Sequence, residues 1–188
     1  KDGTIDLEGI YHDILNILTD DASITCDAGD FGSWLIRYYK WNKPHTFFGP
    51  TTGAMGYALP AAIAARLARP QAPALAFAGD GGFSMTMSEL ETAVRYKLKR
   101  LVAIVFNNNC YGTISRHQKR EFPGRNVGTN LGKINFADIA NAAGARGYTV
   151  NSNEEFPIAL NSALDAGCPA VIDIEVSDKN PGPWDDIK

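Results

Sequence analysis

The chain has 188 residues, with 18 Lys or Arg against 21 Asp or Glu, a formal net charge of −3. That balance offers no polyanion-binding surface and excludes nucleic acid as the main partner. A content of 45% hydrophobic and 21% charged residues fits one globular domain with a sizeable core and excludes dominant disorder. The longest apolar run, Ala58 to Ala65, is closed by Arg66 and falls far short of the roughly 20 residues that cross a bilayer, so no membrane partner is expected. Cys26, Cys110 and Cys168 show no CxxC spacing and predict neither a disulfide framework nor a zinc site, which makes a reducing cytoplasm the expected setting. Lys1-Asp2-Gly3-Thr4 has neither an initiator Met nor a signal-peptide pattern and reads as the start of a piece cut from something longer.

In chain order, apolar periodicity predicts a helix over Ile5 to Leu18, a short buried strand over Ser23 to Cys26, and a turn at Asp27-Ala28-Gly29-Asp30. An Ala-rich helix follows from about Ala54 to Ala68, stopped by Pro70. Then come a strand Ala74 to Ala78, a helix Thr86 to Leu98 and a strand Leu101 to Phe106. The segment Tyr111 to Lys133, rich in Gly, Arg, Lys and Asn, is too long for a tight connection and is expected to be a lid or an interaction loop. Beyond it lie a helix opened by Asn135 with Asp138 three residues on, a strand near Tyr148, a helix Asn153 to Ala166 and a strand Ala170 to Val176. Strands apolar on both faces and separated by helices predict an α/β fold, a doubly wound parallel sheet with helices on both faces. Residues 1–180 are read as that domain and 181–188 as a tail.

Ligands of open α/β sheets sit beyond the carboxyl ends of the strands, which directs attention to three segments. They are Asp27-Ala28-Gly29-Asp30, Gly79-Asp80-Gly81-Gly82 and Asn107-Asn108-Asn109-Cys110-Tyr111-Gly112. Gly81 and Gly82 let a phosphate approach the backbone near a helix start. There is no GxxxxGK[ST] and no GxGxxG, so neither a P-loop nor a dinucleotide fingerprint is present. Asp80 would repel a phosphate unless a cation lay between them, which points to Mg²⁺. That ion takes about six hard oxygens, often few from protein and the rest from substrate phosphate and water. The candidate donors are Asp80, Asn108 and the main-chain oxygen of Cys110. Taken singly, an Asp-Gly turn and an Asn-rich strand end are ordinary turn chemistry; at the ends of consecutive strands they make a metal site together.

These residues carry a family resemblance. Gly79-Asp80-Gly81, 25 residues, then Asn107-Asn108 resembles the GDG…NN signature of thiamine diphosphate-dependent enzymes, and the upstream Ile63-Ala64, Pro70 and Leu75 to Gly82 follow the longer family pattern. Nearly the whole chain resembles the C-terminal diphosphate-binding (PP) domain of the acetolactate synthase and pyruvate decarboxylase group. The resemblance implies thiamine diphosphate and Mg²⁺ as cofactors, with Asp80, Asn108 and Cys110 as metal ligands. Alignment on Tyr111-Gly112 makes the Asp-to-Asn spacing one residue longer than the family's, with Asn107 as the alternative. Gly53-Ala54-Met55-Gly56 resembles the element that bends the cofactor, with Met55 as an apolar wedge and the Gly53 carbonyl facing the cofactor's amine. Gly29 stands where acetolactate synthases touch the diphosphate, but Asp30 and Phe31 replace their Gln and His, which leaves Gly29 to act through its backbone.

The resemblance further implies a 2-oxo acid substrate, decarboxylation or carboligation (lyase or transferase chemistry), and a homo-oligomeric full-length enzyme. It places the activating Glu on a separate pyrimidine-binding (PYR) domain, so no catalytic residue is expected in this chain. Two alternatives stand beside it, a small PP subunit of a heteromeric 2-oxo acid decarboxylase and a non-catalytic cofactor-binding module.

Overall fold

The computed structural model describes residues 5–177. The expected tail over 181–188 lies outside the described residues. In chain order the elements are α1 (Leu7–Ile17), β1 (Ser23–Cys26), α2 (Asp30–Tyr38), β2 (Phe47–Phe48), α3 (Ala58–Ala68), β3 (Ala74–Gly79), α4 (Asp80–Thr86), α5 (Glu89–Arg95), β4 (Leu101–Asn107), α6 (Gly112–Glu121), α7 (Phe136–Ala142), β5 (Arg146–Val150), α8 (Glu155–Asp165) and β6 (Ala170–Glu175). The strands form one parallel sheet in the order β2-β1-β3-β4-β6-β5. The doubly wound α/β fold expected from the strand pattern is the fold observed.

Alternation along each strand builds two cores. Leu75 and Phe77 of β3 join Val102, Ile104 and Phe106 of β4 on one face, under α1, α2 and α8. Ala74, Ala76 and Ala78 of β3 join Leu101, Ala103 and Val105 of β4 on the other, under α3, α5 and α7. Both faces of these strands are apolar because both are covered. The small alanines of β3 let the equally small Ala58, Ala62 and Ala65 of α3 approach closely. On the opposite face Tyr11 lies 6.0 Å from Phe77 and 6.1 Å from Phe106, ring to ring, and donates its hydroxyl to the Phe31 carbonyl at 2.8 Å. That bond satisfies the polar end of a fully buried ring.

Four differences from the sequence pattern have physical causes. The Asp27–Asp30 turn runs straight into α2, which fully buries Gly32 and Leu35 and packs Phe31, Trp34 and Tyr38 partly buried against the core. The Ala-rich helix begins at Ala58 rather than Ala54, because Gly53 and Gly56 take positive φ values of 65° and 75° that end any helical run before them. The helix expected over Thr86 to Leu98 is the shorter α5 (Glu89–Arg95), and a further short helix, α4, starts directly at Asp80 inside the Gly-rich turn, with a tight turn at Met87–Ser88 between them in which Leu90 and Glu91 donate to the oxygens of Met87 and Ser88. Finally, Tyr111 to Lys133 contains α6, which buries only Ser115 and therefore carried no hydrophobic signal.

The return from α6 is tied back to the end of β4. Tyr111 donates to the Thr129 carbonyl at 2.8 Å and Leu131 to the Asn109 carbonyl at 2.8 Å, around an antiparallel bridge between Cys110 and Asn130. The segment clamps the strand end that precedes it.

Where α7 crosses β5, a Cβ at Gly147 would overlap the backbone of Ala137, whereas at Gly132 it would meet nothing within 4 Å. Gly147→Ala is expected to cost about 2 kcal/mol or more through overpacking against backbone that cannot yield, and Gly132→Ala to change stability by less than about 0.5 kcal/mol. Urea unfolding of the two variants measures the contrast.

Candidate functional site

From β1 the chain passes to β2 on one side, and from β3 to β4 on the other, so the strand order reverses between β1 and β3. Such a switch point opens a crevice at the carboxyl ends of the strands. A cleft of about 860 Å³ lies there, lined by segments that follow β1, β3 and β4. The candidates Gly29, Gly53, Met55, Asp80, Gly81, Gly82, Asn108, Cys110, Tyr111 and Gly112 all line it.

Asp80 is 5% exposed at the first position of α4. One carboxylate oxygen accepts from the N–H of Gly81 at 2.9 Å, the other from the N–H of Cys110 at 3.2 Å. The Asn108 side-chain oxygen accepts from that same Cys110 N–H at 3.0 Å. Two hard oxygens from the ends of adjacent strands thus converge on one point of the Cys110 backbone. Asn109, in the left-handed conformation with φ 55°, reverses the chain between them. Burial pushes the Asp80 carboxyl above the usual carboxylate range, opposed by hydrogen bonds from Gly81, Cys110, Asn109 and Asn108.

Asn107 points elsewhere. Its side-chain N–H₂ donates to the Ile134 carbonyl at 3.0 Å and to Asp173 at 3.1 Å, in the core between β4 and β6. Asp173 also accepts from the N–H of Phe136 at 2.9 Å, which ties the start of α7 to β6. Of the two asparagines, only Asn108 faces the cleft.

The floor is made by close approach. A Cβ on Gly81 would overlap the Tyr111 ring, and one on Gly82 would overlap the Asp27 carboxylate, so the backbone lies bare to the cleft at both positions. Phe31 stacks on Phe106 at 5.6 Å and packs its ring between Gly29 and Gly79, which gives the cleft an apolar wall. Met55 stands at the mouth, 38% exposed, on the loop before α3.

Ser33, Trp34, Thr113 and Ile114 line the cleft without having been singled out as site residues from the sequence, while Arg116 and Lys119, from the basic run after the metal loop, line it as well. Arg116 of α6 pairs with Asp30 of α2 at 2.7 Å and links the two sides of the mouth. Only the position of Asp30 just past a strand signalled this. His117 is exposed and does not line the cleft. The Cys26 thiol, buried beneath α2 near the Asp27 charge, is pushed up to about 12 by burial first and that charge second, and is chemically inert.

With this geometry in view, comparison with known proteins is decisive. Residues 27–174 match the model of the thiamine pyrophosphate enzyme C-terminal TPP binding domain. The chain belongs to this family. It is 34% identical over 170 residues to an acetolactate synthase of Bacillus subtilis, covering 89% of this chain and 29% of the relative. It is 35% identical over 158 residues to a sulfoacetaldehyde acetyltransferase of Castellaniella defragrans, covering 84% and 26%. Among solved structures it resembles the Rhodococcus jostii RHA1 thiamine diphosphate-dependent 4-hydroxybenzoylformate decarboxylase, with TM-score 0.87, 26% identity, and coverage of 94% of this chain and 33% of that one. The chain therefore spans about a quarter of the length of the curated relatives it matches. No helix among the described residues is long and apolar enough to cross a membrane.

The burial of Asp80 makes a sign-specific prediction. A folded-state pKa raised above the unfolded value means the ionised carboxylate destabilises the empty fold, by an amount absent at low pH that grows as pH rises past the ordinary carboxylate value. The melting temperature of Asp80→Asn relative to the parent, in chelator-containing buffer, is expected to shift in favour of the variant as pH rises past the ordinary carboxylate value of about 4. Scanning calorimetry across that value checks the direction.

Proposed function

We propose that this chain binds the diphosphate half of thiamine diphosphate through Mg²⁺ and serves an acetolactate synthase-like enzyme acting on 2-oxo acids. The observation that carries the reading is the convergence of Asp80, Asn108 and the Cys110 backbone at the end of two adjacent strands, beside two glycines whose Cβ atoms would close the floor. The donor set fits the ion: a carboxylate, an amide oxygen and a peptide carbonyl are hard oxygens, and they leave positions for diphosphate and water. A main-chain role for Cys110 needs no thiol chemistry. Met55 at the mouth is suited to support the cofactor's ring pair, with the Gly53 carbonyl beside it and Gly29 offering backbone to the diphosphate. Tyr111 and Gly112 shape the wall that follows the metal loop.

When bound, the cofactor supplies an electron sink for loss of CO₂ from a 2-oxo acid. The chain's own part is to hold the diphosphate, keep the ring pair against Met55, and exclude water with the Phe31 and Trp34 side of the cleft. An activating carboxylate belongs to a PYR domain of the same or a partner chain, within a homo-oligomer. Support for this division comes from relatives about three times as long and from a cleft that is open at Met55. The relatives' names span a synthase, an acetyltransferase and a decarboxylase, so the choice between carboligation and decarboxylation rests on parts beyond this chain. Cys26, Cys110 and Cys168 are unpaired, which supports a reducing, cytoplasmic setting.

Calorimetric titration tests the metal bridge. Thiamine diphosphate affinity is expected to fall by about 100-fold or more with excess chelator or in Asp80→Ala, and to change less than about threefold in Cys110→Ser. Equal affinity with and without chelator would remove the metal from the reading.

The 188-residue chain alone is expected to release no CO₂ from pyruvate above background, since a general acid–base contribution of about 10²–10⁴ is missing with the PYR domain. Addition of a PYR domain is expected to restore turnover. A coupled CO₂ assay on chain and reconstituted pair reads both.

A further inference from the structure

We infer that Asp27 is a positioning residue that fixes the Met55 wedge by clamping the backbone on its C-terminal side. This rests on the proposed cofactor role of Met55 and extends it to a residue that does not line the cleft.

Asp27 is the first residue after β1, 4% exposed, and it makes no ion pair among the described residues. Its two carboxylate oxygens are divided between two N–H groups of the same loop. One accepts from Gly56 at 2.9 Å, the other from Ala58 at 2.6 Å, and the Tyr57 N–H adds to them. The neighbouring Ala28 N–H donates to the Ala54 carbonyl at 3.1 Å. Met55 is therefore held on both sides, at Ala54 and at Gly56, by consecutive residues of one strand end. Its own side chain is left projecting at the mouth of the cleft.

The need for a clamp follows from the loop. Gly53 and Gly56 both take positive φ, a conformation with little preference of its own, and a Cβ at Gly53 would meet nothing within 4 Å. Without a fixed anchor such a segment samples many states, and a wedge must hold its position to a fraction of an ångström. Burying a carboxylate is costly unless it is fully hydrogen-bonded, and here that cost is met by bonds that do nothing for the sheet itself. The bare backbone of Gly82 against the Asp27 carboxylate joins the clamp to the floor of the diphosphate site. One side chain thus sets the spacing between the wedge and the diphosphate floor.

The test uses the full-length protein with Mg²⁺ and thiamine diphosphate. Asp27→Asn is nearly isosteric but turns one acceptor into a donor facing an N–H. It is expected to raise amide exchange in the peptide covering residues 53–58, to lower kcat by about tenfold or more, and to change the cofactor Kd by less than about threefold. A double-mutant cycle with Met55→Ala supplies the readout that general destabilisation does not move. If Asp27 acts through Met55, the double variant is expected to lose about as much kcat as Met55→Ala alone, rather than the product of the two losses. Additive losses, or exchange at 53–58 unchanged in Asp27→Asn, would overturn the clamp while the parent still binds and turns over. A parent that binds no cofactor, or a Met55→Ala variant with unchanged kcat, would instead remove the wedge reading and the clamp with it.

Discussion

The structure is organised around one buried charge. Asp80 follows the central strand β3, is withdrawn from solvent, and is met by backbone N–H groups of its own turn and of the loop after β4. A carboxylate in that place is tolerable only if several donors converge on it, and their convergence requires β3 and β4 to stand in register with Gly79 opposite Phe106. The parallel ladder supplies that register, the two apolar cores hold the ladder, and the return from α6 through Thr129 and Leu131 holds the donor loop.

The same logic explains why so much of the cleft is backbone. Gly81 lies under Tyr111, and Gly82 against Asp27, at separations that no other residue type permits. Side chains enter only where chemistry or shape calls for them: a carboxylate and an amide at the strand ends, an apolar ring from Phe31, a thioether from Met55. A domain built in this way suits a reaction whose difficult electronic step belongs to a cofactor, leaving the protein to position and enclose. It also explains how the domain can be shared by relatives whose names describe different reactions.

Asp27 and Asp80 form a pair of contrasting uses of a buried carboxylate. Both are desolvated and both follow a strand, yet the oxygens of Asp27 are spent on the loop that carries Met55, while Asp80 shares its donor with Asn108. The first holds protein in place; the second is arranged toward the cleft. The Asp30–Arg116 ion pair, exposed at the mouth, is screened and contributes little to stability, about 0–1 kcal/mol at most.

The sequence by itself determined the fold class, because strands buried on both faces are written as continuous apolar runs such as Ala74 to Ala78 and Leu101 to Phe106, and helices between them as a 3.6-residue period. It also picked out residues that the fold brings to one cleft, since turn chemistry directly after a strand of such a sheet has few other places to be. It did not reveal α6, whose one fully buried residue is Ser115, nor α2, nor the short α4, which begins inside the Gly-rich turn after β3. Only the tertiary structure commits Asn107, the alternative ligand, to Asp173 across β6, and only it joined Asp27 to the loop of Met55. These are contacts between residues 66 and 29 positions apart, set by the packing of strands and loops, and local sequence carries no record of which distant group will arrive opposite it.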